Sequence, residues 1–154
     1  MYIIYYMNLN VVTILRGISG SGKSTYIKNN LDASSVVCSA DHFFIDSAGT
    51  YNFDPTKLGL AHSECKKKFK KALTFGAPSV VVDNTNTTIR EMAYYVETAK
   101  AFGYQVNFVR LEVPVEVCAK RNAHGVPFDA VKRMSDRMQE LPKDWGNEKL
   151  VSNI

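Results

Sequence analysis

The sequence predicts an α/β fold: one parallel sheet with helices on both faces. Two observations predict it. Short apolar runs without polar alternation, such as "NVVTILRG" and "PSVVVDNT", recur with helical stretches between them. The first of these runs ends in "GISGSGKST", a glycine-rich loop that opens into a helix.

Each element can be justified in order. Asn10–Gly17 is a buried strand, and "GKSTYIKNNL" is the helix behind it. Ser34–Asp41 reads as the second strand, ending in an acid. A long helix follows, with Asp54 as its N-cap and Pro55 at its first position. Leu58, Ala61, Cys65, Phe69 and Ala72 recur at helical spacing and form its buried stripe. Gly76 ends it. Pro78–Thr85 is the third strand, again ending in an acid, and the helix behind it stops at Gly103. Tyr104–Val113 is the fourth strand. Pro114 starts a short helix, "AHGVP" is a loop, and the last helix runs from about Pro127 to Glu140. The tail after Pro142 is polar and is expected to be loosely held.

Length and composition exclude several classes. With 154 residues, the chain fits a single domain, 1–154, with its core at about 10–140. Charged residues are 22% and hydrophobic ones 45%, an ordinary globular balance. No apolar run approaches the roughly 20 residues that span a bilayer. "MYIIYYM" lacks the basic flank and cleavage site of a signal peptide. Cys38, Cys65 and Cys118 are isolated, so neither a disulfide framework nor a zinc site is expected, and a reducing cytoplasm is the expected setting. No membrane and no obligate protein partner is expected. The net charge of +4 is a mild pointer to anionic partners.

Gly17, Gly22, Lys23 and Ser24 fit the pattern G-x-x-x-x-G-K-[ST]. Glycines let the backbone turn so that its amides face one concavity at a helix N-terminus, which attracts phosphate oxygens. The phosphate-binding segment is Gly17, Ser19, Gly20, Ser21, Gly22, Lys23, Ser24 and Thr25. Lys23 reaches the β- and γ-phosphates of a nucleoside triphosphate, and Ser24 offers its hydroxyl to Mg²⁺.

Asp41 and Asp83 each end an apolar run, so both are expected beside the loop, outside the carboxyl ends of the strands. Asp83, after "VVV", fits a metal-positioning acid. Asp41, in "SADHFFID", fits a general base for an acceptor hydroxyl. Helix capping and turn formation are the structural alternatives for both. Arg121 lies in "KRNAHGVP", where nucleoside-phosphate kinases carry a lid, and an arginine there can stabilise the transferring phosphoryl group. Arg133 and Arg137 share a helix face and either contact phosphates or solvate the helix. Lys66–Lys71, "KKKFKK", spreads lysines around most of its helix and reads first as a solvated surface, second as a nucleic-acid contact.

With these residues in place, the chain resembles the P-loop kinase domain of the polynucleotide 5′-hydroxyl kinase family. The matching stretches are "GISGSGKST", "SAD", "VVVDNTN" and "VPVEVCAKRN". "SADHFF…YNFDPTKLGLAH" and "RNAHGVP" also resemble the polynucleotide-kinase-like domains of Nedd-type ubiquitin-ligase-binding proteins. The resemblance spans roughly Val11 to Glu140. It implies four strands in the order 2-3-1-4 with a C-terminal lid, and ATP with Mg²⁺. It implies transfer to the 5′-hydroxyl of DNA or RNA, with Lys23, Asp41, Asp83 and Arg121 catalytic and Ser24 and Asp83 at the metal. In the phage enzyme an arginine follows the catalytic aspartate by three positions, and here that position is Phe44. Phe43 and Phe44 either pack beneath the acceptor loop or offer a ring to an acceptor base. A small metabolite or a hydroxylated DNA base is the alternative acceptor. A nucleotide-dependent binding module without transfer is the alternative class.

Overall fold

The computed structural model describes residues 9–122 and 124–152. The expectation for the segment at 1–7 lies outside the described residues. Five parallel strands form one sheet: β1 (Val11–Arg16), β2 (Val36–Cys38), β3 (Ser79–Asp83), β4 (Gln105–Leu111) and β5 (Glu148–Val151). Their order is β2-β3-β1-β4-β5. The expected 2-3-1-4 arrangement is present, and the expected strand count is corrected from four to five. Five α-helices complete the fold: α1 (Lys23–Asn30), α2 (Leu58–Thr74), α3 (Ile89–Ala101), α4 (Val115–Lys120) and α5 (Phe128–Arg137). No described helix is long and apolar enough to cross a membrane.

Strand residues alternate between faces, and the chain has apolar side chains for both. Val12, Ile14, Val80, Val82 and Phe108 face α2 and α3 through Phe69, Tyr95 and Met92. Leu15, Val81 and Val109 face the other way, against Tyr26 and Ile27 of α1. Val80, Val81 and Val82 are completely buried. Each such side chain contributes about 1.5–3 kcal/mol, so "VVV" is a main tie between the two layers.

The helix caps follow local chemistry. Asp54 accepts from the Thr56 amide and opens a 3₁₀ turn, Pro55–Lys57, that leads into α2. Thr88 caps α3 by accepting from the Glu91 amide. Gly76 and Gly103 leave their helices with φ of 74° and 77°, a conformation that costs glycine little.

Three expectations need correction. Asp41 does not end β2. The strand stops at Cys38, and Asp41 sits on a 3₁₀ turn, Ala40–Phe44, capped by Ser39. Leu58 is 42% exposed, because it lies in the first turn of α2, before the helix reaches the sheet. The lysines of "KKKFKK" spread around the open side of α2 with Phe69 buried, as expected. Lys66, Lys67, Lys70 and Lys71 line one groove with Tyr94 and Phe75, the pairs Lys66–Lys70 and Lys67–Lys71 each being four residues apart on the helix. Lys68 instead donates to the Val37 carbonyl at 2.6 Å.

The polar tail is the third. It forms a 3₁₀ turn, Lys143–Trp145, and then β5. Trp145 lies parallel to Phe108 at 5.8 Å between ring centroids. Arg16, at the end of β1, is completely buried and holds this tail. Its guanidinium pairs with Glu148 at 2.6 Å and donates to the backbone oxygens of Asn86, Thr87 and Gln139. Removing one partner of a buried ion pair leaves an uncompensated charge. Glu148→Gln is therefore expected to cost about 3–5 kcal/mol in urea denaturation. A loss below about 0.5 kcal/mol, typical of a surface change, would show that the pair does not hold the tail.

Candidate active site

The loop between β1 and α1 follows directly from its glycines. Gly20 and Gly22 have φ of 84° and 96°, which L side chains rarely adopt. A Cβ at Gly20 would overlap the Cys118 carbonyl oxygen, and one at Gly17 would overlap the Ser21 hydroxyl. The loop thus closes on itself and against α4 with no room for side chains. Gly17 is anchored by its amide donating to the Thr85 carbonyl at 3.1 Å. The result is a backbone concavity at the N-terminus of α1, the geometry that binds phosphate.

Lys23 lies over this loop. Its ammonium donates to the carbonyls of Gly17 at 2.8 Å and Ile18 at 3.3 Å. Burial lowers its pKa below the ordinary lysine range, while the charges of Asp83 and Asp41 oppose that shift. Burial raises the Asp83 carboxyl, Lys23 opposes the rise, and Asp41 adds to it. The three groups therefore share one electrostatic neighbourhood. His42 belongs to it too, its pKa lowered by burial and then by Lys68, against the pull of Asp83 and Asp41.

Asp41 is the exposed member, with 52% of its side chain open to solvent. Its turn is fixed at its start by two bonds: Ser39 Oγ accepts from the Asp41 amide at 3.2 Å, and Asn84 Oδ1 accepts from the Ala40 amide at 2.9 Å. Asn84 directly follows Asp83, so the end of β3 sets the Asp41 turn. Arg121, at the end of α4, reaches the loop from the other side. Its Nε donates to the Gly20 carbonyl at 2.7 Å and its Nη2 to Ser21 at 3.4 Å. Arg133 and Arg137 are exposed on α5.

Lys23, Asp41, Asp83 and Arg121 are thus gathered around one loop, with Ser24 in the first turn of α1. Phe44 is buried against Ala40 and Ala61, as the packing alternative expects, and Phe43 is half-buried beside it. Sequence reasoning missed two neighbours of Asp41. Tyr51 Oη donates to Asp41 Oδ1 at 3.2 Å, and His124 Nε2 lies 3.9 Å from Oδ2. Both occupy loops, where periodicity gives no signal.

The donor set fits the groups that the loop implies. No cluster of three metal-binding side chains occurs among the described residues. Mg²⁺ at a phosphoryl-transfer site needs none, since one or two carboxylates and the substrate phosphates hold it. Asp83 and Ser24 would serve there, and the glycine-lined concavity would take the phosphates.

A P-loop after β1, an acid in the turn after β2, another at the end of β3, and an all-parallel sheet define a P-loop kinase fold. The chain belongs to the AAA_33 family of AAA domains, whose model matches residues 12–141. It is 34% identical over 139 residues to human NEDD4-binding protein 2, covering 85% of this chain but 8% of that protein. Among solved structures, it resembles a chain of the Pnkp1/Rnl/Hen1 RNA repair complex (TM-score 0.68, 22% identity, 85% of this chain and 44% of that one). It also resembles the Mycobacterium tuberculosis APS kinase in complex with AMPPNP and APS (TM-score 0.58, 15% identity, 94% of this chain and 89% of that one). At these identities the structural likenesses show the fold.

Gly20→Ala tests the loop. The new methyl meets backbone at Cys118, which cannot move aside as a side chain can. The variant is expected to lose about 1–3 kcal/mol of stability from strain at this position. Binding of an ATP analogue, followed by calorimetry, is expected to weaken at least tenfold. Wild-type affinity would show that the loop does not need its present shape.

Proposed function

We propose that this domain is an ATP-dependent kinase that phosphorylates the 5′-hydroxyl end of DNA or RNA. The observation that carries the reading is Asp41: a solvent-open carboxylate in the same electrostatic neighbourhood as Lys23 and Asp83. A module that only binds nucleotide has no use for such a base.

Bound ATP with Mg²⁺ supplies the γ-phosphoryl group and neutralises part of its charge. Lys23 exchanges the carbonyls of Gly17 and Ile18 for phosphate oxygens and offsets charge in the loose transition state. Asp83 and Ser24 would hold the metal. Asp41 accepts the acceptor hydroxyl's proton as the oxygen attacks phosphorus. The bond from the γ-phosphorus to its bridging oxygen breaks, and ADP keeps that oxygen. Arg121 is close enough to the loop to turn from its carbonyls to the transferring group.

A polyanionic acceptor is supported by the resemblance of "GISGSGKST", "SAD" and "VVVDNTN" to the polynucleotide 5′-hydroxyl kinase family, and by the fold shared with a chain of the Pnkp1/Rnl/Hen1 RNA repair complex. The lysine groove between α2 and α3, roughly 450 Å³, is a second support, since clustered lysines with exposed Phe75 suit a nucleic-acid backbone. A small-metabolite acceptor is favoured by one observation. Phe44 is buried where the phage enzyme carries an arginine, so that phosphate contact has no counterpart at this position.

Labelled ATP offered with 5′-hydroxyl DNA, 5′-hydroxyl RNA and metabolite pools tests the reading. Label is expected on the 5′-hydroxyl ends, and label only in the metabolite pool would overturn the nucleic-acid acceptor. Lys23→Ala is expected to abolish transfer. Asp41→Asn is expected to lower kcat by about 10²–10⁴ with little change in KM for ATP. Asp83→Asn is expected to shift the Mg²⁺ dependence as well. Identical metal dependence in the two aspartate variants would contradict these roles.

A further inference from the structure

Asp41 poses a problem for any general-base role. It is exposed, and an exposed carboxylate rotates freely, whereas a base must meet its proton in a narrow range of geometries. The structure provides a restraint. Tyr51 Oη donates to Asp41 Oδ1 at 3.2 Å.

The tyrosine is itself held on several sides. Phe53 lies parallel to its ring, with centroids 6.4 Å apart and planes 7° apart. Phe44 meets it edge-on at 6.2 Å. The His124 ring approaches to 4.1 Å between centroids, tilted by 33°. The backbone that carries it is pinned as well. Ile45 and Tyr51 form an antiparallel bridge, and Asp46 closes the turn between them by accepting from the amides of Ala48 and Thr50, both at 2.9 Å. The Asn52 amide donates to the Phe44 carbonyl at 2.8 Å. Phe44 in turn is buried against Ala61 of α2. Ring, loop and core are thus continuous, and the hydroxyl carries that rigidity to Asp41.

We propose that Tyr51 is a positioning residue that fixes the Asp41 carboxylate for acceptor activation, with His124 as the far wall of its ring. The proposal rests on the reading of Asp41 as the base. One oxygen, Oδ1, is committed to the tyrosine. The other, Oδ2, lies 3.9 Å from His124 Nε2, beyond hydrogen-bond distance, and is the oxygen left to take the acceptor proton. Tyr51 is suited to remain a donor. Burial first, and then the charge of Asp41, push its phenol up to about 12. Besides His124, both His42 and Lys23 feel the charge of Asp41, and neither hydrogen-bonds its carboxylate among the described residues. Lys23 is engaged by the loop carbonyls, and Arg121 by those of Gly20 and Ser21.

Tyr51→Phe removes the hydroxyl and keeps the ring. A merely structural ring would leave turnover intact. The positioning role predicts a fall in kcat of about 10–100-fold, the scale of a misplaced reacting group, with KM for ATP and melting temperature unchanged. In an Asp41→Asn background the same substitution is expected to cost nothing further, because its effect passes through the carboxylate. His124→Asn, which removes the ring from the far face, is expected to lower kcat by a smaller factor in the same direction. Wild-type kcat in Tyr51→Phe, or an undiminished fall in the Asp41→Asn background, would overturn the proposal.

The contact also has a readout independent of turnover. The ring Cζ resonance of ¹³C-labelled Tyr51, assigned by its loss in Tyr51→Phe, is expected to shift in Asp41→Asn. An unshifted resonance means that no such bond exists and also overturns the proposal. If the wild-type domain phosphorylates no acceptor while the resonance does shift, the proposed function fails and the catalytic purpose of the bond fails with it.

Discussion

The structure turns on Arg16, a guanidinium buried completely at the end of the central strand, one residue before the phosphate loop. Burying such a charge is expensive unless it is paired and hydrogen-bonded. Arg16 meets both conditions by gathering three distant pieces of chain: Glu148 of β5, the backbone after β3 at Asn86 and Thr87, and Gln139 beyond α5. Asn86 returns the connection by donating to the Leu15 carbonyl at 2.7 Å. The loop therefore begins from a fixed point. The β3–α3 connection, which begins at Asn84 directly after Asp83, is tied to that same point.

From this anchor the site follows in two steps. Glycines shape a concavity too tight for side chains, and Lys23 covers it. Asn84 then carries the position of β3 across to the Asp41 turn, so the acids after β2 and β3 are set together. The electrostatics are mutual: burial works against the charges of both Lys23 and Asp83, and each supports the other's ionised form. A cation beside two carboxylates is poised for a ligand that brings phosphate and metal together. The same Asp41 turn rests on Phe44 and Ala61, so the core under the acceptor loop and the chemistry above it are one unit.

Much of this was legible in the sequence, and the reasons are local. "GKST" behind an apolar strand, "VVV" before Asp83, and the Ala61–Cys65–Phe69–Ala72 stripe all express short-range geometry. β5 was not legible. Glu148 and Lys149 are polar and Leu150 is 53% exposed, so nothing in "EKLV" announces a strand. It pairs with β4 where Arg16 and Arg110 meet Glu148, a contact made only in three dimensions. Tyr51 and His124 escaped because each is a loop residue whose contact with Asp41 follows no helical or strand period, and His124 also lies far from it in the chain. Asp41 was placed beside the right loop but on the wrong element, because "SSVVCSAD" carries no mark of where the strand gives way to the Ser39-capped turn.

The most direct measurement is a crystal structure with a non-hydrolysable ATP analogue, Mg²⁺ and a short 5′-hydroxyl oligonucleotide. The account predicts that Lys23 leaves the carbonyls of Gly17 and Ile18 for the γ-phosphate. It predicts the terminal 5′ oxygen within hydrogen-bond reach of Asp41, about 2.6–3.2 Å, and in line with the γ-phosphorus. A nucleotide bound away from the loop, or a 5′ oxygen remote from Asp41, would contradict it.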